Sequence, residues 1–368
     1  MRRKLALAAV VGGTWGMLIA AAVGHAQGFG DGKDAVGGGA PDGSVIGAGH
    51  GVHVGKVKIS TRLRNGTYEL IDPTRGGLST HDFFADDNEK PFTDRDNVWG
   101  DGTMNSRQSA AVDAHFAAGK TWDYFKNTFG RRGVHDDGKG PAMTVHYGRN
   151  QADAFSDHNG ASFGDGKDGK HPVTALDTVA HEYTHSLNQA TARLASSGEG
   201  GGINEATSDI FGTMVEFTAG VPADKPDYLI GEKVNYHGDG KPLRYMDKPS
   251  KDGKSPDYYK PGLGRLDNPH HAAGVANHFF YLLAEGSGKK VINGTAYDSP
   301  AYDGSKVTGI GRSKAARIWY RALTTQFTST TDYKGARSGT LKAAAALYGK
   351  NSTEYRTVEK AWTAVNVA

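Results

Sequence analysis

The sequence predicts an α+β protein of two lobes, a β-rich first half and an α-helical second half, with a cleft between them. Three observations carry this reading. Val57 to Ile71 alternates apolar and polar residues around Asn65-Gly66, the dipeptide of a tight hairpin turn. Four segments after residue 270 repeat apolar residues at helical spacing. Between the halves lie two further helical patterns, at 176–190 and 203–217, and the first of them closes the β-rich half.

The elements follow in chain order. Met1-Arg2-Arg3-Lys4 is a positive start, Leu5 to Val23 is apolar, and Gly24-His25-Ala26 has the small residues of a cleavage site. Residues 1–26 therefore read as a secretory signal peptide, so a secreted, extracellular protein is expected, with no stable membrane association after cleavage. Residues 27–50 are Gly-rich without periodicity and read as a flexible linker. The first lobe spans 51–190. After the hairpin, Ser106 to Phe129 predicts a helix with Val112, Phe116, Trp122, Phe125 and Phe129 inward and Gly130 at its end. Met143 to Tyr147 predicts a short strand. The second lobe spans 191–368, with helices over Ala273–Glu285, Ser313–Gln326, Tyr333–Leu347 and Ser352–Val365. Trp319, Tyr320, Phe327 and Trp362 are expected in its core.

Composition narrows the function classes. A chain of 368 residues has room for two domains and a sizeable core. The net charge of +3 is spread out, and no basic stripe suggests nucleic acid. There is no Cys, so an exported protein of this sequence has no disulfide staples. A monomer is expected.

The chemistry concentrates at His181-Glu182-Tyr183-Thr184-His185. On a helix, positions i and i+4 share a face, so His181 and His185 can point two imidazoles at one metal ion, with Glu182 beside them near a metal-bound water. Catalytic zinc takes three protein ligands and leaves one corner open. The segment Ser196 to Gly202 reads as a turn joining the two central helices into a hairpin, which lets Glu205 of Asn204-Glu205-Ala206-Thr207-Ser208-Asp209 supply the third ligand. Asp209, one turn on, is placed to accept an imidazole's second N–H. Asn188 and Thr191 occupy the positions where metzincins carry a Gly and a third His.

These residues resemble the thermolysin family of bacterial metalloproteases, over about residues 47–368. HEYTH and GGINEATSDIFGTMVEF carry the resemblance, with Val145-His146-Tyr147, Gly164-Asp165-Gly166, Leu243-Arg244-Tyr245-Met246 and His270 to Asn277. The resemblance implies the zincin two-lobe architecture, one catalytic Zn2+ on His181, His185 and Glu205, and Glu182 as general base. It implies His270 as oxyanion donor, with His271 as the competing candidate, and Asp267 placed to orient that ring. Arg244 matches the arginine that holds a substrate carbonyl. Asp153, Ala154, Phe155 and Ser156 fall on the strand that binds substrate backbone, where the family has N-A-F-W. Ser196 stands where the family has a tyrosine. Asp177, Glu216, Asp227 and Glu232 match the main structural Ca2+ site. Val173, Ile230, Val234 and Leu243 fall around an apolar pocket for the residue after the scissile bond. Family members are also made with a large folding-assisting pro-segment, for which residues 27–50 leave no room. The implied function is a secreted zinc endopeptidase acting on proteins or peptides. The alternative is a zinc- and calcium-binding protein of the same fold with impaired catalysis.

Overall fold

A computed structural model describes residues 43–84, 90–148, 150–266 and 268–368. The expected signal peptide, most of the expected linker and Asp267 lie outside the described residues.

The linker reading fails from Gly43 onward. Gly43–Gly51 is strand β1, paired antiparallel with β2 (Gly55–Arg64) from Gly43 opposite Leu63 to Gly51 opposite Gly55. Gly47, Gly49 and Gly51 face inward where a strand ordinarily shows large apolar residues, so the two-residue period was masked. The reason is a helix lying hard against the strand. A Cβ at Gly49 would sit 2.8 Å from Cγ1 of Val112.

The hairpin reading holds. Asn65 and Gly66 both adopt positive φ, 50° and 74°, and join β2 to β3 (Thr67–Glu69), as a type I′ turn requires. Strands β4 (Ile71–Asp72) and β5 (Leu78–Asp82) follow, and β6 (Thr93–Asp94) and β7 (Val98–Trp99) complete one five-stranded sheet in the order β6-β3-β2-β1-β7. Helix α1 (Arg107–Phe129) follows, and Gly130 closes it in the left-handed conformation. Strands β8 (Ala142–Val145), β9 (Ala154–Ser156) and β10 (Gly160–Phe163) complete a second sheet, β4-β5-β8-β10-β9, in which β9 is an edge.

Helix α2 (Leu176–Ala190) packs along α3 (Gly198–Ala219). The glycine run read as a turn belongs instead to the first turns of α3. Its glycines serve close packing: a Cβ at Gly202 would lie 2.8 Å from that of Ala272. Beyond α3, strands β11 (Leu229–Ile230) and β12 (Arg244–Tyr245) pair, and a short helix α4 (Pro269–Ala272) leads into α5 (Gly274–Glu285). A hairpin of β13 (Gly288–Ile292) and β14 (Thr295–Ser299) precedes α6 (Arg312–Thr325), α7 (Tyr333–Tyr348) and α8 (Thr353–Ala364). Phe279 stacks on Trp362 at 3.8 Å in the core of this helical half, where Trp319 and Tyr333 are also fully buried. No helix among the described residues is long and apolar enough to cross a membrane.

Candidate active site

Helices α2 and α3 are buried almost all round, yet their facing sides carry His, Asn, Asp and Glu. Burying such groups is costly unless each has a partner or a bound ion, so their presence marks a site. His181 and His185 sit one turn apart with their Nε2 atoms 2.9 Å from each other. Oε2 of Glu205 lies 3.3 Å from the first and 3.5 Å from the second. On the far side of the rings, His181 Nδ1 lies 2.8 Å from Oδ1 of Asp209, and His185 Nδ1 lies 3.0 Å from Oδ1 of Asn204. Those oxygens accept the Nδ1 protons, which turns both Nε2 atoms to one point. Glu205 Oε2 is buried there without a well-formed hydrogen bond. Two imidazole nitrogens and a carboxylate oxygen converging on one point fit a small cation, and this nitrogen and oxygen set suits zinc.

Asp209 is the hub beneath. It accepts from Arg244 Nε at 2.8 Å and Nη2 at 2.6 Å, and from Asn277 Nδ2 at 2.8 Å, besides His181. Arg244, read from sequence as a substrate contact, is buried and commits two donors to this carboxylate. Burial would raise Asp209, but Arg244 and His181 hold it well below the usual carboxylate range. Burial would lower His181, but its bonds to Asp209 and Glu205 push it up to about 10. Glu205 is held well below the usual range against its burial, by His270 and His185 first. Glu182 is 2 % exposed, and burial raises its carboxyl despite the neighbouring rings.

His270 approaches from α4, its Nε2 3.1 Å from Glu205 Oε2. Asn268 caps α4: its Oδ1 accepts from the backbone N–H of His270 at 2.9 Å and stands 2.8 Å from ring Nδ1. Asn268 thus orients this ring among the described residues, while Asp267, expected in that role, lies outside them. His271 is half-buried and is not part of the His181, His185 and Glu205 group. Asn204 and Asn268 were missed in the sequence; each directly precedes or nearly precedes a recognised residue, but an amide carries no charge pattern to mark it.

A second acidic group lies at the far end of α3 and in the segment that follows it. Glu216, Asp224 and Glu232 bring carboxylate oxygens within 4.8 Å of one another. Oxygens of Glu216 and Glu232 are buried without hydrogen bonds, while Asp224 Oδ1 pairs with Lys233 Nζ at 3.3 Å. Asp224 was not singled out from the sequence, although it sits in the same acidic loop as Asp227. Asp177 and Asp227 stand close by, but Asp177 accepts from Gly231 N at 2.6 Å and Asp227 from Leu229 N at 2.7 Å. Burial and the neighbouring carboxylates raise Glu216 and Glu232 well above the usual range, and Asp227 is pushed up to about 6. The β13–β14 hairpin holds the loop: Asn293 Nδ2 donates to Pro226 O at 2.7 Å, and Tyr297 Oη accepts from Tyr228 N at 2.9 Å.

Strand β9 lines the open edge of the second sheet. Asp153 O accepts from Gly164 N and Asp157 N donates to Gly160 O, so alternate residues bond inward and Ala154 turns its backbone N–H and C=O to the free edge. Asp153 is half-buried with its carboxyl raised by burial, Ser156 is buried, and Ser196 is exposed. Ser186, next to His185, donates to Asp157 O at 2.6 Å and ties this strand's end to α2.

Comparison with known proteins agrees with the geometry. The thermolysin metallopeptidase catalytic domain matches residues 46–189, and the thermolysin metallopeptidase alpha-helical domain matches 192–367. A transglutaminase-activating metalloprotease of Streptomyces mobaraensis is 52% identical over 325 residues, 87% of this chain and 42% of that protein. A bacillolysin of Bacillus cereus is 39% identical over 331 residues, 88% of this chain and 55% of that protein. The chain therefore spans about half the length of the curated relatives it matches. The solved precursor of protealysin, a metalloproteinase from Serratia proteamaculans, superposes with TM-score 0.62 at 27% identity, over 80% of this chain and 89% of that one. With both domains matched in order and the two-histidine, one-glutamate group assembled between them, the chain belongs to the thermolysin metallopeptidase family.

Proposed function

We propose that this protein is a secreted zinc endopeptidase. The observation that carries the reading is the convergence of the His181 and His185 Nε2 atoms and the Glu205 Oε2 oxygen on one buried point beside Glu182. His181, His185 and Glu205 would hold the zinc. When bound, zinc acidifies a water and polarises a peptide carbonyl. Glu182, whose carboxyl burial raises, takes up a proton from the water and delivers it to the departing amine. His270, fixed by Asn268, presents its ring to the oxygen that gains charge. Arg244 and Asp209 hold His181 in one tautomer. Ala154 offers main-chain groups to an extended substrate, as a sheet edge does for an added strand. Ile230 and Leu243, joined through Leu243 N donating to Ile230 O at 2.7 Å, together with Val173 and Val234, form the pocket for an apolar residue after the scissile bond.

Calcium is the cation proposed for Glu216, Asp224 and Glu232, with Asp177 and Asp227 beside them, because hard cations take several carboxylate oxygens.

The test is hydrolysis of casein by metal-loaded protein, with and without a zinc chelator, and by Glu182→Ala. We expect the chelator to abolish activity and Glu182→Ala to lose about 10²- to 10⁴-fold with zinc content unchanged. A folded, zinc-loaded wild type without activity would leave a metal-binding protein of this fold.

A further inference from the structure

Four aromatic side chains form a continuous row running from the cleft strand across the first lobe. Phe155, on β9, contacts Tyr147 with ring centroids 4.6 Å apart. Tyr147 contacts Phe83 at 4.8 Å, and Phe83 contacts Phe84 at 5.2 Å. All three contacts are edge-to-face. The row is open to solvent: Phe83 is 37 % and Phe84 53 % exposed. Ala154 and Ser156 point into the core, so Phe155 lies on the outer face of β9.

The row is also braced. Phe83 N donates to Val145 O at 3.0 Å, and Tyr147 N donates to Phe163 O at 2.9 Å. His146 has a positive φ of 65°, and it is held by Asp165 on one ring nitrogen and by Arg107 O at 2.9 Å on the other. Phe84 N donates to Asp82, which pairs with Arg107. An ordered row of exposed rings offers a large apolar contact at little entropic cost.

We propose that Phe83, Phe84 and Tyr147 extend the cleft beyond Phe155 as a subsite for large apolar or aromatic side chains preceding the scissile bond. This rests on the peptidase reading, because the occupant is the substrate chain laid along the free edge of β9. The direction follows from the placement of the other subsite. On the proposed reading, the pocket for the residue after the bond is formed mainly by the second lobe, by Ile230, Val234 and Leu243, with Val173 of the first. The first-lobe row is left for the residues before it. A strand added to β9 shows every second side chain on one face, so positions two apart reach the row together.

The experiment measures binding as well as cleavage. Pairs of blocked peptides carry Phe or Ser at single positions upstream of an apolar scissile site. Their affinities are measured by titration calorimetry on zinc-loaded Glu182→Gln protein, with and without Phe84→Ser, and their kcat/KM on the active protein. We expect the Phe peptide to bind about tenfold tighter than its Ser partner, and Phe84→Ser to reduce that ratio to about threefold or less. A ratio near one at every upstream position, or one that Phe84→Ser and a second variant, Tyr147→Ser, leave intact in folded protein, overturns the proposal. Selective binding without cleavage by the active protein supports the subsite and sinks the peptidase reading, so the two fail separately.

Discussion

At the residue scale, the oxygens of Asp209 decide more than their place in the sequence suggests. They join His181, Arg244 and Asn277 in one buried cluster. Asp209→Ala strands a buried guanidinium, and we expect a loss of about 3–5 kcal/mol, read by denaturant unfolding of the metal-loaded protein. Asn204→Ala frees the His185 ring without stranding a charge. Its signature is different: zinc affinity about 10- to 100-fold weaker in chelator competition, with a much smaller change in unfolding. Glu182, the two histidines and Glu205 were legible because a metal site imposes fixed spacing on charged residues. Asn204, Asn268 and Asp224 were not, because their roles depend on neighbours that only the folded helices bring near. Arg244 was recognised, but not its pairing: the sequence shows a side chain and not the direction in which it spends its donors.

At the element scale, glycine misled twice, and for one physical reason. In β1 and at the start of α3, glycine stands where a neighbouring element packs too closely for a side chain, which in sequence looks like a flexible segment. Gly202→Ala should therefore overpack α3 against α4 and cost about 1–3 kcal/mol, measured as a lower melting temperature. The turn between β1 and β2 carries a related constraint. Asp113 of α1 accepts backbone N–H groups from Val52, His53 and Val54 at 3.0–3.1 Å, and burial nonetheless pushes its carboxyl up to about 7. The folded state thus keeps a proton that the unfolded chain gives up near its ordinary value of about 4. Its contribution to stability is full below that value and declines as pH rises towards 7. Unfolding of Asp113→Asn should show a flatter dependence over this interval than wild type. The strongly periodic helices, by contrast, were placed to within a few residues, because packing on one face leaves its period in the sequence.

At the scale of the whole molecule, one helix pair serves two charged centres. Helix α3 carries both Glu205 and Glu216, and α2 carries both Asp177 and the two histidines. Without the proposed calcium, the crowded carboxylates of the acidic group repel one another. We expect the melting temperature to rise with calcium concentration, by an amount set by the ratio of free ion to its dissociation constant, and zinc-only protein to melt lowest. For a peptidase, that dependence sets a lifetime as well as a melting point. The loop between α3 and β11, with Asp224 and Asp227, is tied back by Asn293 and Tyr297, and the proposed calcium would add a third tie. If the cation leaves, this loop opens before the helices do, and an opened loop is a substrate for a neighbouring molecule of the same enzyme. Self-destruction in calcium-depleted solution should then be second order in protein, with its first cut between Val221 and Leu243, and Glu182→Ala protein should survive the same treatment uncut.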